Sequence, residues 1–141
     1  EAAGITVIDD YAHHPSEIRA TLSAARCRYP DREIWVVWQP HTYSRTRQLF
    51  DEFTQSFTDA DHVVVTEIYA SREKKQDYSS REVTNQMNHP DACQIADLDD
   101  VSAYLKSHLQ TGDVLLVLSA GDADRISRDV LNYFRRMEGT K

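Results

Sequence analysis

The run Gly112-Asp113-Val114-Leu115-Leu116-Val117-Leu118-Ser119-Ala120-Gly121-Asp122 sets five consecutive apolar residues between two glycine-aspartate turns. A strand with one wet face alternates apolar and polar residues, so this unbroken run reads as a strand covered on both sides. The second turn opens a helix on which Ile126, Val130, Phe134 and Met137 repeat at helical spacing. A buried strand running through a short loop into an amphipathic helix is the repeating unit of an α/β fold.

The same unit recurs toward the N-terminus. Ile5 to Asp9 is a short β-branched strand, Pro15 falls where a first helical turn tolerates it, and Ile18, Leu22, Ala25 and Tyr29 share one helical face. Ile34 to Trp38 is again apolar without alternation, and Leu49, Phe50, Phe53 and Phe57 predict a second helix. His62 to Thr66 is a third strand, followed by a polar loop from Ser71 to Ser80 and a short helix around Ser80 to Met87. A weak strand over Ala92 to Ala96 precedes a helix from Leu98 to Leu109 with Val101, Leu105 and Leu109 on one face. Five strand-helix units with short connections predict an α/β, three-layer sandwich: a mostly parallel sheet with helices on both faces.

The chain of 141 residues is the size of one domain, taken as residues 1–141, and 40% apolar with 28% charged residues is ordinary for a globular protein. No apolar run approaches the roughly 20 residues of a membrane span. The formal charge of -7 disfavours nucleic acid as a partner. Cys27 and Cys93 lie far apart, with no signal-like segment ahead of them, which reads as structural thiols in a reducing, cytoplasmic compartment.

In open α/β sheets ligands bind beyond the carboxyl ends of the strands. The first such loop, Asp9-Asp10-Tyr11-Ala12-His13-His14-Pro15, packs two carboxylates, a phenol and two imidazoles ahead of a helix. The plainer alternative is that Asp9 or His14 caps that helix. A metal is disfavoured, because adjacent His13 and His14 cannot both turn toward one ion on a regular backbone. The second loop, Gln39-Pro40-His41-Thr42-Tyr43-Ser44-Arg45-Thr46-Arg47, sets two arginines against the helix macrodipole. Binding a carboxylate through a guanidinium fork would explain them, as would a solvated turn or, for Arg47, an ion pair with Asp51. The last loop, Ser119-Ala120-Gly121-Asp122, reads as a tight turn with Asp122 as helix cap, and Ser71-Arg72-Glu73-Lys74-Lys75 as a solvated charge run. Neither a G-x-x-x-x-G-K-[ST] nor a G-x-G-x-x-G phosphate motif occurs.

The stretches Asp9-Asp10-Tyr11-Ala12-His13-His14-Pro15-Ser16-Glu17 and Gln39-Pro40-His41-Thr42-Tyr43-Ser44-Arg45-Thr46 together resemble the C-terminal domain of the UDP-N-acetylmuramate:L-alanine ligases of the Mur ligase family. Weaker likeness continues through Thr66-Glu67-Ile68-Tyr69 and Ala120-Gly121-Asp122. The second stretch separates these ligases from the murein-peptide recycling ligase, whose first motif is similar. The resemblance implies a Rossmann-like domain that closes over the N-terminal and central domains of an ATP-dependent enzyme of peptidoglycan biosynthesis. Its substrates would be UDP-N-acetylmuramate, L-alanine and ATP. The magnesium ligands, the catalytic lysine and the phosphate-binding loop would lie outside this chain, leaving it inactive alone, with no catalytic residue and no bound metal of its own. Carried over by position, Asp10 and Tyr11 would meet the nucleotide, while His13, Arg45, Tyr11 and Thr42 would meet L-alanine. Thr42 stands where some members carry arginine, and Ser119 where many have glycine.

Two other functions fit the residue types. A metal-dependent phosphohydrolase could use Asp10, His13, His14 and His41 with Glu67 or Asp97 as further ligands, and a non-catalytic binding module would need none of this chemistry. Under the ligase reading, Arg45 and His13 share one pocket, because the first and second strands are expected to be neighbours.

Overall fold

The computed structural model describes residues 1–140. Five strands and six helices follow in the order β1 (Thr6–Asp10), α1 (Pro15–Arg28), β2 (Ile34–Trp38), α2 (Tyr43–Gln48), α3 (Phe50–Thr54), β3 (His62–Val65), α4 (Arg81–Gln86), β4 (Ala92–Gln94), α5 (Leu98–His108), β5 (Val114–Leu118) and α6 (Asp124–Gly139). The strands form one sheet in the order β1-β5-β2-β3-β4, and every pairing is parallel. The expected α/β sandwich is therefore observed, with a sheet that is wholly rather than mostly parallel.

The period-two geometry of a strand divides the core in two. Ile34, Val36 and Trp38 of β2 with Val114, Leu116 and Leu118 of β5 face Ile18, Leu22 and Ala25 of α1, together with Phe53 and Val83. Trp35, Val37, Leu115 and Val117 face the other way, onto Val101 and Leu105 of α5 and Ile126, Val130 and Phe134 of α6. All five residues of β2 and of β5 are buried, as their unbroken apolar runs require.

One expectation about order is corrected. β1 and β2 are not neighbours, because β5 lies between them and pairs with both, Leu116 aligning with Ile8 on one side and Val36 on the other. The most apolar strand takes the position where both faces and both edges are covered, which is where its burial gains most.

The helix expected over Leu49 to Phe57 is also redrawn. It begins earlier, at Tyr43 inside the second motif, and breaks at Leu49, whose φ of -108° and ψ of 23° end α2 and start α3. Arg45 and Arg47 are thus helical rather than on a loop, and Phe57, past the end of α3, still reaches the core at 1% exposure. At the C-terminal helix the cap falls one residue later than read: Ala123 is the cap position, and Asp122 instead accepts a hydrogen bond from Gln39 Nε2 at 2.8 Å. Met137, expected on the buried face of α6, is half exposed, since that helix outruns the sheet beneath it at Phe134.

Candidate functional site

Three loops leave the carboxyl ends of β1, β2 and β5 side by side, and each is held by its own hydrogen bonds. After β1, His14 caps α1: its Nδ1 accepts from the Ser16 amide at 3.2 Å while Glu17 accepts from the His14 amide at 3.1 Å. This reciprocal box, with Pro15 in the first turn, explains why the helix starts where it does. His14 is thereby a structural residue, the plainer of its two readings. Asp9 accepts from the Ser127 hydroxyl, tying β1 to α6.

Asp10 sits at the edge of a cavity of about 280 Å³ whose other walls include Tyr11, Ser119 and Gly121. Its carboxylate accepts from the Ala12 amide at 2.8 Å and from the Thr21 hydroxyl at 3.3 Å, so it shapes the turn as well as facing the cavity. Tyr11 is 70% exposed, its ring held edge-on to that of His13 with centroids 5.6 Å apart.

After β2, buried Gln39 acts as a splice between loops. Its Oε1 accepts from the Ser119 hydroxyl at 2.7 Å and the Ala123 amide at 3.3 Å, while its Nε2 donates to Asp122. The next residues are clamped onto the segment that follows β3: Tyr69 N–H donates to Pro40 O and Thr42 N–H donates to Tyr69 O, each at 2.8 Å. Thr42 adopts a φ of +65°, a left-handed conformation that β-branched residues rarely take, and its hydroxyl accepts from the Arg45 amide at 3.3 Å as the cap of α2. Strain of this kind persists only where surrounding bonds over-determine the backbone. A second cap comes from afar: Glu73 Oε1 accepts from the Tyr43 and Ser44 amides at 2.5 and 3.2 Å. Hydrogen bonds from Ser44 hold the Glu73 carboxyl below its usual value against the opposing effect of desolvation, with the Tyr43 amide and Arg47 adding to the shift. The charged loop is therefore anchored at Glu73 rather than merely solvated. Arg47, 4.4 Å above the Tyr78 ring, packs on that loop and makes no ion pair with Asp51.

The loops after β1 and β2 meet at two imidazoles, His13 and His41, with ring centroids 5.8 Å apart. They do so across the end of β5 rather than as neighbouring strands, because the intervening β5 loop turns tightly. Gly121 makes that possible, since a Cβ there would lie 2.7 Å from both Gln39 Oε1 and Tyr69 Cγ. His41 stacks on Tyr69 at 5.6 Å and 22°. Burial first, then the charges of His13 and Arg45, push its pKa below the ordinary histidine value against the opposing pull of Glu73. Arg45, on the first turn of α2, is half-buried, and among the described residues its guanidinium has no carboxylate and no hydrogen-bond acceptor. An arginine left uncommitted near the His41 imidazole can take a carboxylate from a ligand.

His13, His41 and Arg45 are thus gathered at one rim, with Asp10 and Tyr11 lining the adjoining cavity and Thr42 using its hydroxyl on the helix cap. His41, Gln39, Glu73, Tyr69 and Gly121 were not singled out as binding or shaping residues from sequence, His41 having been weighed only as a metal ligand. The acidic residues that a metal site would need are engaged elsewhere. Glu67 accepts from the Ile68 and Ser80 amides, Ser79 and Gln94, and Asp97 caps α5 through the Asp99 and Asp100 amides. No group of three or more His, Cys, Asp or Glu side chains among the described residues is placed to hold a metal ion, and no helix is long and apolar enough to cross a membrane.

A family profile described as Mur ligase, glutamate ligase domain, matches residues 1–121. The chain is 48% identical over 134 residues to the UDP-N-acetylmuramate–L-alanine ligase of Alkaliphilus metalliredigens, covering 93% of this chain and 29% of that protein. It is 47% identical to the enzyme of the same name from Clostridium acetobutylicum, covering 92% and 29%. Among solved structures, the UDP-N-acetylmuramate-alanine ligase of Thermotoga maritima superposes with a TM-score of 0.73 at 28% identity, over 97% of this chain and 27% of that one. The chain spans under a third of the length of each of these relatives.

Proposed function

The chain belongs to the Mur ligase family, matching its glutamate ligase domain, and from that premise we propose that it is the amino-acid-binding part of an ATP-dependent UDP-N-acetylmuramate–L-alanine ligase of peptidoglycan synthesis, acting in the cytoplasm. One observation carries the reading: the uncommitted Arg45 lies beside His41 at the rim where His41 meets His13, and the relatives named for this activity match across that whole region.

In this reading the alanine carboxylate sits against Arg45, with His13 near its amine, and Asp10 and Tyr11 face the nucleotide from the adjoining cavity. ATP activates the muramate carboxylate as an acyl phosphate on the other domains. The alanine amine then attacks the acyl carbon, loses a proton, and phosphate leaves as the amide forms. Magnesium, when bound, would neutralise the phosphate charge. The described residues offer no ligand set for it, and the phosphate-binding loop would likewise belong to the other domains of such an enzyme. What the domain contributes is orientation and exclusion of water from a labile intermediate, both of which favour a lid carrying the second substrate.

The test is steady-state kinetics on the full-length ligase. Arg45→Ala should weaken alanine use by about 2–4 kcal/mol, the cost of stripping a charged partner from a closed site, and leave ATP use nearly unchanged. Asp10→Ala should chiefly impair nucleotide use. A change in apparent ATP affinity without one for alanine in the Arg45 variant would remove the carboxylate from this loop. The chain on its own should show no ligase turnover.

A further inference from the structure

We infer that Glu73, on the loop after β3, is a positioning residue for the ligase reaction: by holding the first turn of α2 it fixes where Arg45 presents its guanidinium. The inference rests on the amino-acid-binding reading and adds to it a residue that touches no substrate and belongs to neither of the loops after β1 and β2.

The helix that carries Arg45 cannot stand alone. α2 has six residues, too few for a helix to persist in water by itself. The positive end of a helix favours an acidic side chain, yet the first turn of α2 has none of its own. A helix start also leaves four backbone amides without partners inside the helix. In α2 the Arg45 amide reaches the Thr42 hydroxyl and the Thr46 amide the Thr42 carbonyl, both at 3.3 Å. The other two, Tyr43 and Ser44, donate to a single oxygen, Glu73 Oε1. Half of the helix start, and the negative charge it lacks, therefore come from a residue 30 positions beyond Tyr43. Hydrogen bonds from Ser44 hold the Glu73 carboxyl below its usual value, so the cap is anionic at neutral pH.

Glu73 is itself aimed by strained backbone. Its amide donates to Ala70 O at 3.0 Å, closing a turn in which Ser71 takes a φ of +56°. Left-handed backbone at a serine, like that at Thr42, is unfavourable and persists where surrounding bonds demand it. One such residue lies on each side of the same contact, the Glu73 carboxylate on α2. The segment also fixes His41, by packing rather than by bonding: the buried His41 Nδ1 has no hydrogen-bond partner, and the ring rests on Tyr69. Tyr69 to Glu73 thus supports the rim at two points, the His41 ring and the helix of Arg45.

In the full-length ligase, Glu73→Ala is expected to raise the alanine KM about tenfold and to leave the ATP KM within about twofold, the scale of losing a helix cap. Glu73→Gln keeps a carbonyl oxygen in the same place and should stay within about threefold of wild type. A residue that acts through Arg45 has nothing to position once that side chain is gone, so in an Arg45→Ala background Glu73→Ala should change the alanine KM by less than about twofold. Hydrogen exchange in the unmodified enzyme gives a readout independent of any variant: the Tyr43 and Ser44 amides should exchange slowly. The inference is overturned by an alanine KM unchanged in Glu73→Ala, by an ATP KM that rises equally, or by the same rise with and without Arg45. A loss in Glu73→Gln as large as in Glu73→Ala, or fast exchange at both amides, overturns it as well. Arg45→Ala separates the two levels: if it raises the alanine KM while Glu73→Ala does not, only the role of Glu73 falls. If Arg45→Ala leaves that KM unchanged, the amino-acid-binding reading falls and takes this inference with it.

Discussion

Gly121 shows how a single residue holds the rim together. Its φ is not in the left-handed region, so the requirement is one of space: an added Cβ would press on the Gln39 amide and the Tyr69 ring at 2.7 Å. Gln39 cannot yield without giving up the bonds to Ser119, Ala123 and Asp122 that splice the β2 and β5 loops. Tyr69 cannot yield without moving His41. Gly121→Ala is accordingly expected to cost about 1–3 kcal/mol, the range for overpacking, as measured by urea denaturation. The same substitution should shift the His41 ring resonances, because the displaced Tyr69 is its stacking partner. A variant with wild-type stability and unchanged His41 resonances would mean that the turn relaxes freely.

At the scale of elements, the opposite end of the sheet carries a clamp. His62 opens β3 and bridges two carboxylates, its Nδ1 2.5 Å from Asp91 and its Nε2 2.9 Å from Glu33. It thereby joins the segment entering β2 to the one entering β4, and its ring stacks on Trp35 at 4.0 Å. Partial burial would lower its pKa, but the bonds to Asp91 and Glu33 outweigh this and raise it. A group whose folded pKa is raised stabilises most below its unfolded value of about 6.5 and loses that contribution as pH climbs through the folded value. His41, shifted downward, works in the opposite sense, so the comparison must be made against a variant. The fall in urea midpoint between pH 6 and pH 8.5 should be larger for the wild type than for His62→Gln. Equal falls would show that the bridge is not formed in solution.

The whole molecule is organised around β5. It pairs on both edges, is buried along its length, and delivers its loop to the centre of the functional rim. Leu116, 1% exposed, belongs to the buried cluster that joins β2 and β5 to α1. Leu116→Ala is expected to cost about 2–5 kcal/mol in urea denaturation, whereas Met137→Ala, on the half-exposed end of α6, should stay within about 0.5 kcal/mol of wild type. A Leu116→Ala cost near that of Met137→Ala would contradict the central placement of β5.

The α/β class, the burial of β2 and β5, the helix faces of α1 and α5 and the location of His13 and Arg45 beyond the strand ends were legible in the sequence, because each depends on periodicity or on bonds between residues close in the chain. The His14 capping box is local in the same way. The strand order was not legible, since which neighbours a parallel strand chooses depends on how helices pack across the sheet, and β5 reaches its place from the far end of the chain. Nor was the break at Leu49, or the extent of α2 inside a motif that reads as a loop. The role of Glu73 and the splice through Gln39 join residues about 30 and 80 positions apart. The orphaned Nδ1 of His41 is visible only once Tyr69 covers it. A sequence specifies which groups are available, but whether an imidazole is left without a partner is decided by the surfaces that tertiary packing brings over it.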